Sequence, residues 1–176
     1  MSVPAPILQR GFWLYVWRVG LPAGDFGHYI GITGDTGAAR AQSAANHVAA
    51  HLGFSINASA LRKSLQRKQQ TRLEDCRSLD FFAFGPVYPE PGPADYPTTR
   101  GKVTALAKHL WQRMEASGFD MLNVPPQTTA VLDVERWKEV YAAFSQQFAE
   151  LRSNPAAAGS AAPPARAVAV SFDGAR

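Results

Sequence analysis

A run of basic side chains on one predicted helix is the group in this sequence best suited to bind a ligand. Five cations occur between residues 62 and 72, and the next acids, Glu74 and Asp75, follow only after them. Such a helix can neutralise several phosphate groups of a nucleic acid, or it can simply be a solvated helix face. We expect the first alternative, with phosphate contacts from Arg62, Lys63, Arg67, Lys68 and Arg72.

The composition limits the class of partner and the compartment. The chain has 176 residues, 18 Lys and Arg against 14 Asp and Glu, and a formal net charge of +4. This charge favours a polyanionic partner, although it is common among proteins that bind no nucleic acid. Because Cys76 is the only cysteine, an internal disulfide framework and a cysteine zinc cluster are excluded, which favours a reducing cytoplasm. No signal peptide or long apolar span is visible, so we expect no membrane partner.

The hydrophobic pattern predicts an α+β fold with a small three-stranded antiparallel sheet. The aromatic and β-branched segments 12–19, 28–33 and 79–89 are the predicted strands, and the first two form a hairpin. A turn is expected at 35–37. Helices are predicted over 38–53, from a cap at Asn57 or Ser59 through the basic run, from a cap at Thr98 or Thr99 to about Gly118, and over about 132–152.

The chain length is enough for one domain with added segments. We expect residues 1–10 to be an N-terminal extension, 11–126 the compact domain, and 127–153 to carry an additional C-terminal helix. Residues 154–176 begin with "NPAAAGSAAPPARA" and end with the short apolar run "VAVSF". Small residues and prolines have little surface to bury, so this Ala/Pro-rich tail is expected to be disordered or loosely docked.

Two short segments resemble the paired signature of the GIY-YIG nucleases. In "WLYVW" only Tyr15 of the first element is kept, whereas "HYIGITGD" has the second element intact at Tyr29, Ile30 and Gly31. The resemblance covers about residues 11–126. It implies a DNA endonuclease that uses one Mg²⁺ or Mn²⁺ ion per site, of a restriction or defence type. It leaves open whether the DNA is single- or double-stranded and whether the protein forms a homo-oligomer.

The resemblance also assigns chemical roles to single residues. Arg40, on the first helix, would bind the phosphate bidentately, and Tyr15, Tyr29 or His47 would orient or deprotonate the attacking water. His47 follows Arg40 by two helical turns, so both can face one cleft. Asn123 matches the asparagine near the end of the domain. The ordinary alternatives are sheet aromatics for the tyrosines, a surface position for His47 and a turn cap for Asn123.

The metal-binding glutamate that the resemblance implies is missing. The pattern Glu-x-x-Leu-Ile corresponds here to "AKHLW", which begins at Ala107. Three accounts stay open: an engineered replacement of the carboxylate, a natural loss that leaves a nucleic-acid-binding or protein-interaction module, or a shifted register in which Glu115 or Glu90 supplies the acid. Alanine is also the best helix former and can be ordinary at this position. We expect Ala107 to occupy the metal-ligand position of an inactive or impaired site.

Overall fold

A mixed five-stranded sheet forms the centre of the fold. The computed structural model describes residues 4–34, 40–53, 59–153 and 167–173. The strands are β1 (Phe12–Gly20), β2 (Phe26–Ile32), β3 (Ser78–Tyr88), β4 (Asp120–Met121) and β5 (Ala167–Asp173). Their order in the sheet is β4-β2-β1-β3-β5, with β2 and β4 parallel and the other neighbouring pairs antiparallel. The α+β class is confirmed, whereas the predicted sheet of three antiparallel strands is wrong.

The three central strands are those that the sequence predicts. β1 lies between β2 and β3, so that Trp17, for example, is opposite Tyr29 on one side and Phe81 on the other. Both faces of β1 are covered, and eight of its nine residues are buried. This explains why the strand is a continuous apolar run rather than an alternating one.

Two edge strands correct the prediction for the sheet and for the tail. β4 has only two residues, too few to produce a recognisable pattern in the sequence. β5 pairs with β3 from Phe84 opposite Ala167 to Ser78 opposite Asp173, and Val168 and Val170 are buried. The prediction that 154–176 is disordered or loosely docked is therefore wrong for 167–173, while 154–166 and 174–176 lie outside the described residues.

Four helices pack around the sheet: α1 (Ala44–Leu52), α2 (Ala60–Gln69), α3 (Tyr96–Ala116) and α4 (Val134–Gln147). Ser59 caps α2 as predicted, since its hydroxyl accepts from the main-chain N–H of Arg62 at 3.2 Å. α3 begins directly after Asp95, one turn before the predicted threonine caps. The predicted turn at 35–37 and the alternative cap Asn57 lie outside the described ranges.

The helices cover opposite faces of the sheet and create two apolar layers. α3 and α4 pack with inward residues such as Leu14 and Phe84, whereas α1 and α2 pack with Trp13 and Trp17 on the other face. The N-terminal segment joins the second layer through Ile7, which is buried. A site with access to both layers can form only where an edge of the sheet is left open.

In the part of the chain that the structure describes, we find no helix with the length and apolarity needed to cross a membrane.

Candidate functional site

An open stretch of the sheet edge forms one side of a cavity of about 570 Å³, which we call the first cavity. β4 pairs only with Gly27 and His28 of β2, so on the side away from β1 no described strand lies beside the second half of β2. β1, α1, α3 and the segment after β4 contribute the rest of the wall. The described polar residues of its wall, together with Gly31 and Ala107, are Tyr15, Tyr29, Gly31, His47, His51, Arg100, Thr104, Ala107, Asn123 and Gln127.

Gly31 allows the phenol ring of Tyr15 to reach this cavity from the inner strand β1. Tyr15 lies directly opposite Gly31 in the sheet. A Cβ atom at position 31 would be 2.3 Å from both Cζ and the hydroxyl oxygen of Tyr15, far inside van der Waals contact. Any side chain larger than hydrogen at position 31 would therefore displace the tyrosine.

A buried hydrogen-bond network fixes the hydroxyl of Tyr15. The hydroxyl lies 2.8 Å from Nε2 of His51 and 3.4 Å from Nδ1 of His47. Nδ1 of His51 lies 3.4 Å from the hydroxyl of Ser59, which donates to the main-chain carbonyl of His51 at 3.2 Å. Burial lowers the pKa of His51 to about 4, with a smaller contribution from the charge of His47, so His51 is neutral at pH 7. A neutral imidazole with its proton on Nδ1 can donate to Ser59 and accept from Tyr15.

Both tyrosine hydroxyls stay protonated at neutral pH. Burial raises the pKa of Tyr15 well above its usual range, with a smaller contribution from Tyr29. Burial also raises the pKa of Tyr29 to about 12. A protonated phenol in a cavity wall can donate one hydrogen bond and accept others, so these groups suit a ligand with oxygen atoms or a bound water.

Asn123 binds the open edge of β2 with its side-chain amide. Its Oδ1 accepts from the main-chain N–H of Ile30 at 3.2 Å, and its Nδ2 donates to the carbonyl of Ile30 at 2.9 Å. The indole of Trp111 donates to the main-chain oxygen of Asn123 at 2.8 Å. Asn123 therefore lines the first cavity while its amide holds the segment after β4 against β2.

Ala107 lies in the wall of the first cavity, on the face of α3 that also carries Arg100 and Thr104. The spacing of four and three residues puts these side chains on one helix face. Neither Glu115 nor Glu90 is in this wall: Glu115 lines a separate cavity, and Glu90 pairs with Arg10 at 2.8 Å. Of the positions considered for the acid, only Ala107 faces the cavity.

Arg40 is not brought into the cavity wall. It precedes α1 rather than belonging to it, so the two-turn spacing from Arg40 to His47 does not put them on one helix face. Its side chain is exposed, and its main-chain oxygen accepts a hydrogen bond from Tyr96 at 3.1 Å. The arginine in the wall is Arg100, which the sequence analysis did not single out. Arg100 lies seven residues, or two helical turns, before Ala107, and this spacing could have predicted that both side chains lie on the same face of α3.

Arg62, one of the five predicted phosphate-binding cations, has a structural role. It is buried, and its Nη1 donates to Glu74 at 2.6 Å. Its Nε donates to the main-chain oxygen of Gly53 at 2.8 Å, which holds the end of α1 against α2. This arginine is unavailable to a nucleic acid without breaking those contacts.

The other four cations differ in their carboxylate partners. Lys68 Nζ lies 3.0 Å from Asp120, and Arg72, which follows α2, lies 3.7 Å from Glu74. The interpretation of the five cations as a run without acidic partners is therefore wrong. Glu74, directly after the run, pairs with Arg62 and Arg72, and Asp120 of β4 pairs with Lys68. Within the described ranges, two of the five have no ion pair, Lys63 and Arg67.

A second cavity of about 400 Å³ adjoins the first, and we define it by Arg67, Lys68, Trp111, Glu115 and Asp120 in its wall. The two cavities share the segment 123–125. The predicted basic helix thus reaches the candidate site through Arg67 and Lys68. A chain-like ligand could extend from one cavity to the other across this shared segment.

The donor set of the first cavity does not fit Mg²⁺ or Mn²⁺. These ions prefer carboxylate oxygens, and none of the described residues that line this cavity is Asp or Glu. Across the residues that the structure describes, no group of three or more His, Cys, Asp or Glu side chains could hold a metal ion.

Comparison with known proteins gives no match: no family model, curated protein or solved structure is similar to this chain.

Proposed function

We propose that this chain binds DNA through a site of GIY-YIG nuclease type, and that the site is inactive or impaired because Ala107 replaces the metal-binding carboxylate. The observation that carries the proposal is the convergence of five sequence-selected positions on one cavity. They come from β1, β2, α1, α3 and the segment after β4: Tyr15, Tyr29, His47, Ala107 and Asn123. Within this proposal the protein acts in the cytoplasm, in restriction or defence.

The chemistry of the wall supports a phosphodiester ligand. Hydrolysis needs a nucleophile, a positive charge at the phosphate and neutralisation of the leaving oxygen. Protonated Tyr15 and Tyr29 can orient a water, and His51 can accept the hydrogen bond of Tyr15. The missing part is the carboxylate that would bring a divalent cation to the phosphate.

The second candidate function is a nucleic-acid-binding or protein-interaction module without catalysis. The observation that favours it is that the described wall residues include Arg100 but no Asp or Glu. Such a wall has a cation for a phosphate group but no carboxylate ligand for a metal ion. The two candidates share the DNA ligand and differ in what a restored acid would do.

The deciding experiment restores the acid. Ala107→Glu should create a Mg²⁺- or Mn²⁺-dependent phosphodiesterase, because a glutamate there extends from α3 into the first cavity beside the tyrosines. Cleavage of plasmid and single-stranded DNA would be measured for the unmodified chain and for the variant. We expect a rise of orders of magnitude over an unmodified chain with little activity, since the cation supplies a large part of the transition-state stabilisation.

Ala107→Gln is the matched control, because glutamine has nearly the same size as glutamate but no charge. It should bind DNA and leave cleavage at the level of the unmodified chain. An Ala107→Glu protein that folds and binds DNA but cleaves no single- or double-stranded substrate would leave the binding module as the function. Full activity of the unmodified chain would show that another residue supplies the acid.

A further inference from the structure

We propose that Arg100 holds a phosphodiester group of a nucleic-acid strand in the first cavity, and that this binding needs no divalent cation. The inference rests on the proposed function, because both bring nucleic acid to the same cavity. Beyond the proposed function, Arg100 is the residue that binds the phosphate, and this binding does not depend on a metal ion.

Contacts with Gly34 hold the side chain of Arg100 in the wall of the first cavity. Its side chain packs beside Gly34, where a Cβ atom would lie 3.4 Å from Cγ of Arg100. Nε of Arg100 donates to the main-chain oxygen of Gly34 at 3.3 Å. The terminal Nη1 and Nη2 atoms have no hydrogen-bond or ion-pair partner among the described residues. The guanidinium is thus oriented but keeps its two terminal nitrogens for a ligand.

The charge of the wall favours an anion. Among the described residues of the wall, Arg100 is the only Lys or Arg, and none is Asp or Glu. The hydroxyl of Tyr29 is a neutral donor because burial raises its pKa to about 12, whereas the proton of the Tyr15 hydroxyl is already donated to His51. His51 is neutral because burial lowers its pKa to about 4. A guanidinium that shares a cavity wall with the hydroxyl of Tyr29 is suited to bidentate binding of phosphate oxygens.

The charges of the described wall residues also explain why phosphate binding needs no divalent cation. Among the described wall residues, a divalent cation would meet one charged side chain, the positive Arg100, and no carboxylate ligand to offset the repulsion. The phosphate itself can be neutralised by Arg100 directly. A cation is therefore not needed for binding, even though cleavage would require one.

The cavity size and its neighbour favour a strand over a single nucleotide. About 570 Å³ is within the usual range of ligand sites, and the adjoining second cavity brings Arg67 and Lys68 to the same surface. A strand that crosses the shared segment 123–125 would gain additional phosphate contacts there. A mononucleotide would gain none of these contacts.

The test measures binding of a fluorescein-labelled oligothymidylate by fluorescence anisotropy in EDTA, with the unmodified chain, Arg100→Ala and Arg40→Ala. Arg40 is the matched control because it is also an arginine with an accessible side chain but lies outside the wall. We expect Arg100→Ala to weaken binding roughly tenfold or more, as expected for a lost charged hydrogen bond, and to lower the salt slope by about one contact. Arg40→Ala should change the affinity less than twofold.

Unchanged affinity of Arg100→Ala, or binding that requires Mg²⁺, would overturn this inference while leaving the proposed function in place. Thymidine monophosphate that binds as tightly as the oligonucleotide would overturn the assignment of a strand. No DNA binding under any condition would overturn both the inference and the proposed function.

A second measurement does not depend on the fold of a variant. NMR titration of the unmodified chain with the oligonucleotide should shift the side-chain Nε–H signal of Arg100 and the amides of Thr104 and Gly31. Shifts confined to positions outside the first cavity would contradict the proposal. Inorganic phosphate, titrated in parallel, should produce weaker shifts at the same positions.

Discussion

Single residues decide whether the first cavity exists. Tyr15 belongs to a strand that is buried between two others, and it reaches the site only by crossing Gly31. His51 and Ser59 then fix the direction of its hydroxyl. The Tyr-Ile-Gly element thus has a steric explanation here: the glycine makes room for the other tyrosine.

Gly31→Ala tests this explanation. The new methyl group would overlap the Tyr15 ring, so we expect a loss of about 1–3 kcal/mol in the free energy of unfolding, the usual cost of overpacking. Urea unfolding would measure it. Gly92→Ala is the control, because no atom lies within 4 Å of a Cβ at that position, and its effect should stay within about 0.5 kcal/mol. Equal effects of the two substitutions would contradict the steric role of Gly31.

Among the elements, the edge strands complete a sheet whose centre is already specified by its apolar runs. β5 covers seven residues of β3, from Ser78 to Phe84, which would otherwise present unpaired main-chain groups at the edge of the sheet. Its alternation of buried Val168 and Val170 with exposed Ala167 and Ala169 is the period of a half-buried strand. β4 is short, but it starts the segment that leads to Asn123.

Removal of β5 should destabilise the protein. A chain that ends at residue 153 loses two buried valines, each worth about 1.5–3 kcal/mol, and exposes the edge of β3. We expect a lower Tm and a greater tendency to aggregate, measured by calorimetry and light scattering. A chain that ends at residue 173 keeps β5 and should behave like the full chain. An unchanged Tm of the shorter chain would show that β5 does not contribute to stability.

For the whole molecule, buried neutral histidines make stability depend on pH. Burial lowers the pKa of His28 to about 4, as it does for His51. The ordinary histidine pKa of about 6.5 describes the unfolded chain. Between these values the unfolded chain binds more protons than the folded one, so stability is complete above about pH 6.5 and is lost as the pH falls towards 4.

The expected loss is about 1.4 kcal/mol per pH unit for each histidine that stays neutral in the fold. Urea unfolding at several pH values between 7 and 4.5 would measure the slope. His28→Asn should remove about half of it, because His51 still contributes. A free energy of unfolding that is constant across this range would contradict the buried neutral state of both histidines.

The sequence predicted those parts that depend on local pattern. The three central strands follow from continuous apolar runs, and α2 follows from its cap at Ser59 and the basic run after it. All four helices were predicted, although α1 begins at Ala44 and not at residue 38. β4 and β5 were missed because a two-residue strand has no period and because the composition before β5 is typical of a disordered tail.

The sequence predicted those residues of the candidate site that belong to motifs with a recognisable spacing. Tyr15, Tyr29, His47 and Asn123 do meet at one cavity, with Ala107 in its wall. The contacts of Arg62 with Glu74 and of Lys68 with Asp120 depend on how distant segments pack, which no local pattern contains. Tertiary packing also decides that Arg100, and not Arg40, lies in the wall of the first cavity.

The amide of Asn123 also bears on self-association of the chain. An unpaired sheet edge is a template on which another molecule can add a strand, and this is a common route to aggregation. Because Asn123 already occupies the N–H and the carbonyl of Ile30, the open half of β2 cannot offer these two groups to a neighbouring chain. A single side chain thus leaves the edge accessible to a small ligand while it blocks the continuous ladder that intermolecular strand addition requires.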